Sequence, residues 1–195
     1  MRPSERPPIL PYCRVPIVVH EPNNAAPDVA RRVAELIADK RPGAVAEHIG
    51  SSAVPGLAGK GTVDMLLPTP AEEIPAVTDD LLALGFQRQA VATAFPLTRP
   101  MLQGVVRHGN SSFRVHVHVV PAASPEVTAL RGFRDALLAD PGLREQYEQL
   151  KRSIVGAGTV DSVAFSKAKH AWIVAALERL GLVEAAEEVK TGGLP

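Results

Sequence analysis

Asp64 interrupts an otherwise apolar run, Thr62-Val63-Asp64-Met65-Leu66-Leu67, where a carboxylate is costly unless it is paired, hydrogen-bonded or bound to a cation. Strand alternation places Thr62 and Asp64 on one face and Val63, Met65 and Leu67 on the other. A later run repeats the device, with Arg114, His116 and His118 sharing one face and Phe113, Val115, Val117 and Val119 the opposite one. A His-x-His pair on a strand suits a transition metal, because neutral imidazoles are ready ligands. Two readings follow. If the strands are neighbours, Asp64 completes a metal site with the two histidines, or Asp64 and Arg114 neutralise one another while the histidines serve as structural hydrogen-bonding groups.

Upstream, Glu47-His48-Ile49-Gly50-Ser51-Ser52 reads as a strand feeding a glycine turn. Gly50 would let the backbone approach a ligand closely, and the Ser51 and Ser52 hydroxyls could take phosphate oxygens where a helix begins. A plain turn is the competing reading, since Lys60 does not lie in the spacing of a Walker loop. His48 is placed to reach the same site, or to serve the strand; Lys60 is placed to meet a phosphate, or to end a loop in solvent. Lys151, Lys167 and Lys169 are expected to face solvent. Ser51 has no Ser-His-Asp constellation, and Cys13 has no recognisable base, so nucleophilic catalysis is unsupported.

These residues need elements to hold them. Residues 1–27 carry prolines at 3, 7, 8, 11, 16, 22 and 27, which favours an extended arm over an interior strand or helix. From Asp28, Val29, Val33, Leu36 and Ile37 recur at helical spacing up to Pro42-Gly43. Ala44 to Ile49 and Thr62 to Leu67 read as strands, and Glu72 to Leu84 reads as a helix ending at Gly85. Met101 to Arg107 and Ser112 to Val120 bracket His108-Gly109-Asn110 as a hairpin. The last third is helical in three segments, marked by Leu130, Phe133, Leu137 and Leu138, by Leu143, Tyr147, Leu150 and Ile154, and by Phe165, Ala168, Trp172, Ile173, Ala176 and Leu180. Arg131 with Asp135 and Arg144 with Glu148 are spaced to pair across a turn. The expected organisation is an arm over 1–27, one domain over 28–183 and a frayed, acidic then Gly-rich tail over 184–195.

Composition narrows the function. The 195 residues are 46% hydrophobic and 22% charged, with 21 basic against 21 acidic side chains, an ordinary globular balance. With no cluster of Lys and Arg to neutralise phosphates, duplex DNA is not an expected partner. The lone Cys13 cannot form an internal disulfide, and no run nears the roughly 20 apolar residues of a membrane span. The expectation is a cytoplasmic protein acting on a small molecule or nucleotide, with nothing in the sequence to set an oligomeric state.

The stretch Glu47-His48-Ile49-Gly50-Ser51-Ser52-Ala53-Val54-Pro55-Gly56-Leu57, followed by Lys60 and Val63-Asp64, resembles the hallmark segment of the GrpB family, a UPF0157-like branch of the nucleotidyltransferase superfamily. His116-Val117-His118-Val119-Val120, Phe133-Arg134-Asp135-Ala136-Leu137, Tyr147, Leu150-Lys151 and Lys169 follow in the family's order, so that the resemblance covers roughly residues 15–180. It implies an α/β (α+β) fold with a nucleotidyltransferase-like mixed β-sheet flanked by helices and a helical C-terminal third. It also implies nucleotide-binding residues Gly50, Ser51, Ser52 and Lys60, and a divalent metal (Mg, Mn or Zn) for transfer from a nucleoside triphosphate. From the residues' own chemistry, Asp64, His116 and His118 are the candidate catalytic residues, and these three with His48 the candidate metal ligands. The superfamily pattern has two acids separated by one residue; here Thr62 and Leu66 occupy the positions for a partner to Asp64, and histidines replace a third acid. Imidazoles favour Mn²⁺ or Zn²⁺ over Mg²⁺, and the missing acids make a non-catalytic nucleotide- or metabolite-binding module the alternative.

Overall fold

Alternating apolar residues on two strands, Val63, Met65 and Leu67 with Val115, Val117 and Val119, form one half of a buried core; the other half is Val29, Val33 and Ile37 with Ile74, Val77 and Leu81 from two helices. The computed structural model describes residues 7–90 and 95–192. Within them the chain forms two compact units, one of residues 7–14, 25–48, 62–90 and 95–122, the other of residues 15–24, 49–61 and 123–192.

The first unit is built on a five-stranded mixed sheet in the order β1-β2-β5-β4-β3, with β1 at Glu47–Ile49, β2 at Thr62–Thr69, β3 at Gln87–Arg88, β4 at Met101–His108 and β5 at Ser111–Pro121. β2 runs parallel to β5, while β4 is antiparallel to both β5 and β3. Helices α1 (Ala26–Lys40) and α2 (Ile74–Ala83) cover the apolar face. Pro27 and Asp28 open α1, where a missing N–H costs nothing and a negative charge meets the helix dipole. Past Lys40, the Arg41 guanidinium bonds Glu73 and Asp80.

The expected mixed sheet, hairpin and helix starting near Asp28 are all present. The first strand is shorter than expected, and β3 lacked enough residues to show an alternation. The Pro-rich arm is pinned to the sheet. Ile9 donates to the Leu84 carbonyl at 3.1 Å, and Leu10 and Val105 exchange both backbone hydrogen bonds at 2.9 Å. Residues 1–6 of that arm and 193–195 of the tail lie outside the described residues.

The second unit contains α3 (Pro125–Ala139), α4 (Pro141–Gly156), α5 (Ser162–Arg179) and α6 (Val183–Gly192). Three of them start on the same chemistry, a side-chain oxygen accepting from the free first-turn N–H groups: Ser124 from Glu126, Asp140 from Gly142 and Leu143, and Asp161 from Val163 and Ala164. Phe133, Leu137, Tyr147, Ile173 and Leu177 form its core with Val54 and Leu57. Where a frayed tail was expected, α6 buries Ala185, Ala186 and Val189 in that core. Of the side chains expected in i to i+4 pairs, Asp135 is bonded by Arg134 and Glu148 by Arg152. No described helix is long and apolar enough to cross a membrane.

Candidate functional site

On the face of the sheet opposite α1 and α2, parallel pairing of β2 with β5 sets Thr62 beside Arg114, Asp64 beside His116 and Leu66 beside His118. Register alone therefore brings the carboxylate and both imidazoles together. Asp64 Oδ1 lies 3.3 Å from His116 Nδ1 and 3.8 Å from His118 Nε2, and one donor atom from each of the three side chains falls within 4.8 Å of the others. Side-chain exposure is 13% for Asp64, 10% for His116 and nil for His118, so solvent reaches the group through the first two.

His118 is the most revealing member. At 3.8 Å its Nε2 is beyond hydrogen-bond range of Asp64, and neither ring nitrogen has a hydrogen-bond partner among the described residues. The Phe95 ring stands edge-on to it with centroids 6.0 Å apart, and Arg99 stacks over Phe95 at 4.2 Å. Burial, opposed by the nearby Asp64 carboxylate, lowers the His118 pKa to about 4. The ring is therefore neutral at pH 7 and keeps a lone pair for a cation.

Ligands held about 2.0–2.1 Å from a tetrahedral ion stand roughly 3.3–3.4 Å apart. The Asp64 and His116 donors already meet that spacing at 3.3 Å, and His118 Nε2, 3.8 Å from Asp64 Oδ1, would have to move closer. Two imidazoles and one carboxylate also form a coherent donor set for Zn²⁺ or Mn²⁺, so these residues fit a transition ion.

Tyr12 joins them, its hydroxyl 3.2 Å from His116 Nε2 and its ring 5.5 Å from the imidazole. Burial raises its pKa and keeps the phenol protonated. Tyr12 was hidden by its setting among prolines, although the neighbouring Ile9-Leu10 pair was an apolar signal for docking. His48 lies half-buried on β1 and is not in the three-residue group.

The glycine turn belongs to the second unit. Gly50 adopts φ 72° and ψ −171°, a region restricted to glycine, and so redirects the chain into a single 3-10 turn over Ser51–Ala53. The helix start expected there is thus only one turn long and carries no appreciable dipole. Instead, Lys151 on α4 donates to Ser51 Oγ at 3.0 Å and to the Ala58 carbonyl, while the Glu148 carboxylate accepts from Ala58 N at 3.1 Å.

Lys151 is 1% exposed, with its Nζ 4.7 Å from the Tyr147 ring centroid. Burial, reinforced by the charge of Lys169, lowers its pKa to about 7. Lys169 is buried too, 3.5 Å from the Tyr147 hydroxyl and over the Phe165 ring. Both lysines were expected in solvent, yet Tyr147, Lys151 and Ile154, and Phe165, Lys169 and Ile173, share core-facing helical spacing. Lys60 is half-buried in the loop after Gly59.

Residues 16–179 match the family model described as GrpB protein. The chain is 34% identical over 139 residues to a UPF0157 protein of Streptomyces coelicolor, covering 69% of this chain and 68% of the relative. It is 32% identical over 141 residues to a UPF0157 protein of Pseudomonas aeruginosa, covering 71% of this chain and 56% of that longer relative. Its fold is similar to the crystal structure of conserved protein GrpB from Enterococcus faecalis, with a TM-score of 0.64 and 22% identity over 89% of this chain and 99% of that one. At that identity the likeness is one of fold.

Proposed function

The chain belongs to the GrpB protein family, and from that premise we propose that it is a metal-dependent, nucleotidyltransferase-like protein acting on a nucleoside triphosphate and a small-molecule acceptor. The observation that carries the reading is the convergence of Asp64 Oδ1 with His116 Nδ1 and His118 Nε2 on neighbouring parallel strands. Bound there, Zn²⁺ or Mn²⁺ would supply Lewis-acid polarisation of a phosphoryl oxygen. Asp64 supplies the negative charge that offsets the ion, and the neutral His118 lends a lone pair without having to lose a proton. In the second unit, the Ser51 and Ser52 hydroxyls with Lys60 and Lys151 are the groups suited to phosphate oxygens. Lys151 and Lys169 both lie against Tyr147 in that unit.

A specific feature favours a second reading. Thr62 and Leu66 flank Asp64 where a second carboxylate would stand, so two-metal chemistry lacks ligands and the same groups would serve a nucleotide- or metabolite-binding module.

Calorimetric titration with the four common nucleoside triphosphates, with and without Mn²⁺ or Zn²⁺, tests both readings when paired with a transfer assay on α-labelled nucleotide. Metal-dependent binding that Asp64→Asn abolishes, together with label transfer, supports the enzyme. Binding without transfer supports the module, and the absence of binding to any nucleotide overturns both.

A further inference from the structure

The family match begins at residue 16, yet the residues before it are built into the sheet. Leu10 pairs with Val105 through two backbone hydrogen bonds, Ile9 is 1% exposed in the core, and Tyr12 N donates to the Gln87 side chain at 2.9 Å. Gly104 makes the seat, because a Cβ on it would collide with Ile9 Cγ2. The product of this anchoring is one polar contact with the candidate metal site, between the Tyr12 hydroxyl and His116 Nε2 at 3.2 Å.

We propose that Tyr12 is a positioning residue for the cation site, holding the His116 ring with Nδ1 turned toward Asp64 and accommodating the proton shift that ion binding requires. The inference rests on the cation reading above and concerns a residue outside the family match. With no ion, a proton on Nδ1 faces the Asp64 carboxylate and the phenol donates to Nε2. When Nδ1 ligates an ion, the proton sits on Nε2 and the phenol oxygen accepts it. A hydroxyl can play either part, being both donor and acceptor, whereas a ring without it can play neither. Partners of this kind orient ligating histidines and raise their affinity for metal.

Tyr12→Phe keeps the ring packing and deletes only the hydroxyl. The test measures Zn²⁺ affinity by competition with a chromophoric chelator, the thermal midpoint, and the His116 tautomer in metal-free protein by ¹⁵N NMR. The expected result is a Zn²⁺ affinity about 10–100-fold weaker, an unchanged midpoint, and a single His116 tautomer in the parent that becomes a mixture in the variant. Undiminished affinity with an unchanged tautomer overturns the proposal. If the parent binds no Zn²⁺, the cation reading fails by itself, and the metal-free tautomer then decides alone whether Tyr12 positions His116.

Discussion

Lys151 Nζ donates to Ser51 Oγ at 3.0 Å across one hundred residues of sequence, and the same nitrogen also bonds the Ala58 carbonyl. One helix side chain thus ties down both ends of the loop after the glycine turn, and its charge is expensive to keep there.

That cost predicts a pH dependence. Burial followed by repulsion from Lys169 lowers the folded-state pKa of Lys151 from 10.5 to about 7. Between those values the unfolded chain binds more protons, so stability rises with pH through the window and is lost as pH falls back toward 7, at up to about 1.4 kcal/mol per pH unit. Urea unfolding of the parent and Lys151→Met at pH 7, 8 and 9 is expected to show this slope in the parent and a flatter one in the variant. Equal slopes would show that Lys151 titrates in the folded protein as it does in water.

Gly50 gives a second expectation. Its φ of 72° with ψ of −171° is a conformation that a residue with a Cβ adopts only at a cost of order 1–3 kcal/mol. Gly50→Ala should lose that much in urea unfolding. A neutral Gly50→Ala would mean that the turn rearranges without penalty.

The sheet-face grouping was legible in the sequence because strand periodicity leaves no choice of face once Val63 and Met65, and Val115 and Val117, are committed to the core. Their adjacency was not legible, since parallel pairing of β2 with β5 is a long-range choice that the alternation of either strand leaves open. Tyr12 was missed for a related reason: prolines 7, 8 and 11 argue against an interior strand, yet two backbone hydrogen bonds at Leu10 suffice to dock the arm. Lys151 was missed because residue type outweighed position, although its spacing from Tyr147 and Ile154 placed it on the buried stripe. The helix after Val183 hid behind small side chains, since Ala185 and Ala186 bury well but give a weak apolar signal.

Gly104 offers a test of the arm that leaves the polar residues untouched. A methyl group there meets Ile9 Cγ2 and the Phe86 ring, so Gly104→Ala is expected to cost about 1–3 kcal/mol of stability by overpacking. It should also increase hydrogen exchange at Leu10 and Val105. Unchanged exchange at those two amides would mean that the core yields elsewhere and the arm stays docked.

The sharpest separation of stability from function is expected at His118. Its side chain is fully buried, both ring nitrogens lack hydrogen-bond partners among the described residues, and burial already forbids it a charge at neutral pH. An unsatisfied buried polar group costs roughly 1–3 kcal/mol, so an apolar residue of similar volume should relieve that strain on the fold. His118→Leu is therefore expected to unfold at higher urea concentration than the parent when both are metal-free, and to bind Zn²⁺ or Mn²⁺ more weakly. A variant that gains stability while losing the ion would mark the imidazole as a ligand rather than a packing group. If His118→Leu is instead less stable without metal and binds the ion as well as the parent does, the imidazole is a packing group and the ligand set must be sought without it.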